Sequence, residues 1–174
     1  MENPYESKSN IIQAEIIADY LRRSEVTFTP EAWTPNGTMA GYSKKYDQIR
    51  IRPIEKFRDA DQYFSVLFHE VAHSTGHPKR LNRPGIGARP YSLTYLFEEL
   101  IAELTSAFLD VEVGVSSTIE DHSYYQKKII TAIAAGPLTI MRAAEYAQDA
   151  TDMILGCESQ AAHEACDLID EIAS

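Results

Sequence analysis

Apolar residues recur at spacings of three and four over residues 9 to 23, where Ile11, Ile12, Ile16, Ile17, Tyr20 and Leu21 fall on one side of a helix behind Ser7 or Ser9 as cap. Short extended segments follow at Val26 to Phe28 and at about Ala40 to Ser43, separated by the turn-rich Thr34-Pro-Asn-Gly-Thr38. In Asp47-Gln-Ile-Arg-Ile-Arg-Pro53, Ile49 and Ile51 alternate with Arg50 and Arg52, which predicts a strand with one buried face, stopped by proline. An apolar helical run then carries Tyr63, Phe64, Val66, Leu67, Phe68, Val71 and Ala72, with Asp59 or Asp61 as cap and Gly76 as stop. The prolines and glycines of residues 77 to 90 make that stretch a loop. Helical spacing returns from about Thr94 to Val113, and further helices are predicted over 119 to 134, 138 to 155 and 158 to 173, punctuated by Gly136-Pro137 and Gly156. The pattern predicts an α+β fold, mainly helical, with a small N-terminal antiparallel or mixed sheet packed on the helix that begins near residue 60.

Composition narrows the class. A length of 174 residues with 44% apolar and 24% charged side chains predicts one domain spanning 1 to 174, with a sizeable core. No apolar run approaches the roughly 18 residues of a membrane span, and Met1-Glu-Asn-Pro4 lacks the regions of a signal peptide, so a cytoplasmic protein without membrane contact is expected. Cys157 and Cys166 form no disulfide framework and read as small buried residues of a helical region. The net charge of -10 is concentrated after residue 90, and no Lys/Arg stripe stands out, which argues against gripping a nucleic-acid duplex by its phosphates.

The chemistry lies inside the apolar run Phe64-Ser-Val-Leu-Phe-His-Glu-Val-Ala-His-Ser-Thr-Gly76. His69 and His73, four apart on a helix, can turn imidazole nitrogens toward one metal ion, with Glu70 beside them to hold water. A third protein ligand is needed. Gly76 fits the metzincin spacing, but Lys79 stands where the third histidine would be, and His77 is two residues short. The alternative is a glutamate from the next apolar helix, where Glu99 and Glu103 share a face that is otherwise apolar and whose burial calls for a compensating cation. Glu99 then reads as a ligand. Glu103 reads either as the acceptor that orients a ligating histidine or as a structural partner of a loop arginine, and Glu98 as solvent-exposed.

Taken together, Gly41-Tyr-Ser-Lys-Lys-Tyr-Asp-Gln-Ile-Arg-Ile51, the run from Tyr63 through His77, Arg80-Leu-Asn-Arg83, Glu98-Glu-Leu-Ile-Ala-Glu103 and Ala143-Ala-Glu-Tyr-Ala-Gln-Asp-Ala150 resemble the metallopeptidase domain of ArdC-type antirestriction proteins. That zincin-like family is similar in its core to ImmA/IrrE peptidases. The resemblance covers about residues 10 to 156, with a C-terminal helix of about 158 to 173 beyond it. It implies a zincin-like fold, ligands at His69, His73 and Glu99, and Glu70 as catalytic acid/base. Family members often carry a bulky aromatic where Ser74 stands. Full-length relatives carry a single-stranded-DNA-binding domain ahead of this one, which is absent here, so no direct nucleic-acid binding is expected of this chain.

The expected function is peptide hydrolysis of antirestriction or mobile-element type, with one zinc ion, a protein or peptide substrate and Glu70 as general base. An oxyanion donor is still required, and His122, Tyr95, Tyr124 and Tyr125 are the candidates. Two other functions fit the same residues: a zinc-stabilised binding or decoy protein that acts by contact, and an ImmA-like peptidase that cleaves a regulator. Oligomeric state and substrate identity are not encoded in any motif.

Overall fold

The computed structural model describes residues 7–30, 38–113 and 136–157. The helices expected over 119 to 134 and 158 to 173, most of the turn at 34 to 38, and His122, Tyr124, Tyr125 and Cys166 lie outside the described residues.

Helix α1 is Lys8–Ser24, capped by Ser7, whose hydroxyl accepts from the Asn10 amide at 3.2 Å. It is followed by β1 (Thr27–Thr29), β2 (Ala40–Ser43) and β3 (Gln48–Ile51), ordered β1-β3-β2 in a three-stranded sheet. The pairing is mixed: β1 runs parallel to β3, and β2 antiparallel to it, so that Ile49 lies between Phe28 and Tyr42. Ile49 and Ile51 are fully buried, while the intervening Arg50 is on the opposite face, as the period of two requires.

Helix α2 is Ala60–Thr75, and its cap is Asp59, whose Oδ1 accepts from the Gln62 amide at 2.8 Å. Phe64, Leu67, Phe68 and Val71 of α2 join Ile49 and Ile51 of the sheet and Ile17 and Tyr20 of α1 in the main core. At Ser74 the side chain is small, and the bulk arrives from α1 instead. The Ser74 hydroxyl donates to the Val71 carbonyl at 2.6 Å, which leaves the Tyr20 hydroxyl to donate to Ser74 at 2.8 Å.

Helix α3 (Leu93–Glu112) begins at Ser92, which caps the Tyr95 amide, and α4 (Pro137–Leu155) has proline in its first turn and Gly156 as a left-handed cap. Leu100 and Ile101 of α3 pack on Ala143 and Ala147 of α4, small residues that allow the axes close together. Arg23 ties the end of α1 to the end of α4 by donating to the Met153 and Ile154 carbonyls at 3.2 and 2.7 Å. Cys157 corrects the sequence reading: it follows the glycine cap and is exposed, because the helix stops before it. No helix among the described residues is long and apolar enough to cross a membrane.

Candidate metal centre

The site is formed where α2 faces the middle of α3. His69 and His73, one turn apart on α2, bring their Nε2 atoms to 3.1 Å of each other. Glu99 of α3 reaches them with Oε1 3.6 Å from His73 Nε2 and Oε2 4.0 Å from His69 Nε2. One ligand atom from each of the three lies within 4.8 Å of the others. Donors about 2 Å from a tetrahedral zinc ion are separated by about 3.3 Å. Two imidazole lone pairs repel at such a distance unless a proton or a cation lies between them. The donor set therefore fits one divalent ion held by two nitrogens and a carboxylate, a combination that zinc takes and that leaves a coordination position for water.

Each imidazole is backed by a carboxylate on its other nitrogen. Glu103 Oε2 is 3.2 Å from His69 Nδ1, and Glu98 Oε1 is 3.3 Å from His73 Nδ1. Such partners fix which nitrogen carries the proton and so point Nε2 at a metal. Glu98 is a correction to the sequence reading. The sequence places it in solvent, yet it is 2% exposed, because the loop at Arg83 and Gly85 and His73 of α2 close over it. Its counter-ion is the loop arginine Arg83, which donates Nε to Glu98 Oε2 at 2.9 Å and Nη2 to Oε1 at 2.6 Å. Burial pushes the Glu98 carboxyl up, but the Arg83 and His73 hydrogen bonds outweigh it and hold its pKa below the usual carboxylate value. At His73 burial pushes the imidazole down, and the Glu98 hydrogen bond with the charges of Glu99, Glu98 and Glu70 more than reverses this. The centre attracts positive charge, which is the electrostatic condition for holding a metal.

Residues 23–146 match the family described as Zincin-like metallopeptidase. The chain belongs to that family. Among curated proteins it is 37% identical over 122 residues to the DNA primase TraC of Escherichia coli, covering 70% of this chain and 11% of the primase. The antirestriction protein ArdC of plasmid R388, solved with Mn(II) bound, superposes with a TM-score of 0.62 at 28% identity over 81% of this chain and 51% of ArdC. Its metal-free structure gives a TM-score of 0.61 at the same identity, over 79% of this chain and 48% of ArdC. The chain thus spans about half the length of ArdC and about a tenth of the primase.

Other zincin-like candidates are distributed as follows. Glu70 follows His69 directly and is buried. Lys79 is exposed, and His77 turns to Asp47, with Nδ1 3.8 Å from Oδ2, so neither is brought into the centre. Asp47 there accepts from Arg80 and, at 2.7 Å, from the Tyr42 hydroxyl. Tyr95 is half-buried on α3 one turn before Glu99, and its ring meets that of Tyr91 at 6.3 Å. Sequence reasoning missed Arg83 and the burial of Glu98. The available signal was Gly76 and Gly85 flanking Arg83: a Cβ on Gly76 would stand 2.9 Å from Arg83 Nη2, and one on Gly85 would collide with Glu98 Cβ.

Proposed function

We propose that this chain is a zinc-dependent metallopeptidase domain of antirestriction type that hydrolyses peptide bonds in a protein or peptide substrate in the cytoplasm. One observation carries the reading: two imidazoles and a carboxylate converge from two helices, with a buried glutamate next to the first imidazole. His69 Nε2, His73 Nε2 and Glu99 would hold one zinc ion. Zinc bound there would supply Lewis acidity, polarising a carbonyl and lowering the pKa of water toward neutrality. Glu70 takes the proton of the attacking water on its carboxylate and delivers it to the leaving amine nitrogen as the peptide bond breaks. Glu98 accepts from His73 Nδ1, which leaves the Nε2 lone pair of that ring for a metal, and Glu103 Oε2 lies 3.2 Å from His69 Nδ1 in the corresponding position. Of the oxyanion candidates His122, Tyr95, Tyr124 and Tyr125, Tyr95 lies among the described residues, one turn before Glu99 on α3. The family membership and the Mn(II)-bound ArdC structure support metal binding, and the two imidazoles favour zinc over manganese.

The test is Glu70→Gln. The variant should keep its metal and lose cleavage of a peptide library by about 10²- to 10⁴-fold, the usual contribution of general base catalysis. Undiminished cleavage removes Glu70 from its role. A second reading is a zinc-stabilised module that acts by protein contact, with the same ligand set and no chemistry at Glu70. It predicts that Glu70→Gln protects DNA from a restriction enzyme in cells as well as wild type does.

A further inference from the structure

Two arginines anchor the loop between α2 and α3: Arg80 bonds to Ser74, Ser24 and Asp47, and Arg83 turns to the candidate metal centre. Arg83 is 3% exposed, and its guanidinium serves four acceptors at once. Besides both oxygens of Glu98, it donates Nη1 to Thr75 Oγ1 at 2.7 Å and Nη2 to the Ala72 carbonyl at 2.8 Å. Thr75 and Ala72 flank His73 on α2, while Glu98 precedes Glu99 on α3. The guanidinium therefore pins together the two helices that supply the proposed ligands, within two residues of His73 and one of Glu99. Gly76 and Gly85 are the places where the loop backbone must come close to this pair, and a side chain at either would displace it.

Stability alone does not account for such a device. A buried ion pair is often no better than apolar residues of the same volume, whereas breaking it by removing one partner is severe. The pair has a directional consequence that apolar residues could not supply. Glu98 Oε1 receives Arg83 Nη2 and also lies 3.3 Å from His73 Nδ1. With both oxygens engaged by a planar fork, Glu98 can neither rotate into the centre as an extra ligand nor turn away from His73.

Resting on the reading of His69, His73 and Glu99 as the ligand set, we propose that Arg83 is a positioning residue of the metal centre. It fixes Glu98, Glu98 fixes the Nδ1–H tautomer and ring angle of His73, and the loop after α2 thereby sets how tightly the ion is held.

The experiment compares the full chain with Arg83→Lys, Arg83→Met and Glu98→Gln. Zinc affinity is measured by chelator competition, the ligand field by the visible absorption of the Co(II)-loaded protein, and folding by urea denaturation without metal. Wild type should bind one Co(II) with tetrahedral intensity. Arg83→Met should lose about 10- to 100-fold in zinc affinity, the usual effect of removing a partner behind a ligand, and its Co(II) bands should shift. Arg83→Lys keeps the charge and loses the fork, so it should fall in the same direction. If Arg83→Met does not fold, Arg83→Lys and Glu98→Gln carry the same comparison. Variants with lowered urea midpoints but wild-type zinc affinity and unshifted Co(II) bands would reduce Arg83 to a structural pair and overturn the proposal. A wild type that binds neither ion fails differently: it removes the ligand set itself, and this inference with it.

Discussion

The two sides of α2 solve opposite problems. Toward the sheet, Phe64, Leu67, Phe68 and Val71 meet Ile49 and Ile51, and burial of apolar area is its own reward. Toward α3, the same helix buries His69 against Glu99 and Glu103 and covers most of His73 against Glu98 and Glu99, with Glu70 buried beside His69. Taking these groups out of water is unfavourable unless each finds a partner. Arg83 compensates Glu98, and the histidines compensate part of the rest. One face is stabilised by apolar burial. The other is a set of mutually balanced charges whose carboxylates could hold a metal with the two histidines.

Substitutions can separate the two. The largest effect belongs to the apolar side: Phe68→Ala empties a fully buried site and should cost about 3–5 kcal/mol in urea unfolding of the metal-free protein, while whatever remains folded keeps its zinc affinity. A loss of metal without a loss of stability would mean that the two faces are not independent. The smallest effect comes from a polar cluster that balances itself without a metal, at the end of α2. Burial pushes the Asp47 carboxyl up, but Arg80 and Tyr42 outweigh it and hold its pKa below the ordinary value. Its stabilisation is therefore present above the ordinary carboxyl pKa of about 3.9 and lost as pH falls through the lowered one. Asp47→Asn should be less stable than wild type by about 1 kcal/mol at pH 7, and the gap should close below about pH 4. Thermal melts across pH check this, and a gap that widens in acid contradicts it.

Much of this was legible in the chain. The periodicity over 9 to 23 and 94 to 113 predicts α1 and α3 to within a residue, and alternation around Ile49 and Ile51 predicts β3. These are cases where local pattern and tertiary burial agree. That His69 and His73 share a face was also readable, since spacing on a helix fixes it, and the buried carboxylates of the next helix pointed to Glu99 as the residue that approaches them. Glu98 was not. Between two other helices α3 buries Leu100, Ile101 and Ala102 in succession, so a charged residue there need not mark a wet face. Arg83 escaped for a related reason: a loop arginine gains its partner only when the helices close around it. Parallel pairing of β1 with β3 depends on where β2 is placed, and no local spacing encodes that.

In the proposed function, one ion on His69, His73 and Glu99 completes the carboxylate-rich contact between α2 and α3. Equilibrium dialysis of the purified chain against zinc, followed by metal quantification, tests it most directly. About one equivalent on wild type, falling sharply in Glu99→Ala, is the predicted result. Wild type without zinc, or Glu99→Ala holding it undiminished, would contradict the account.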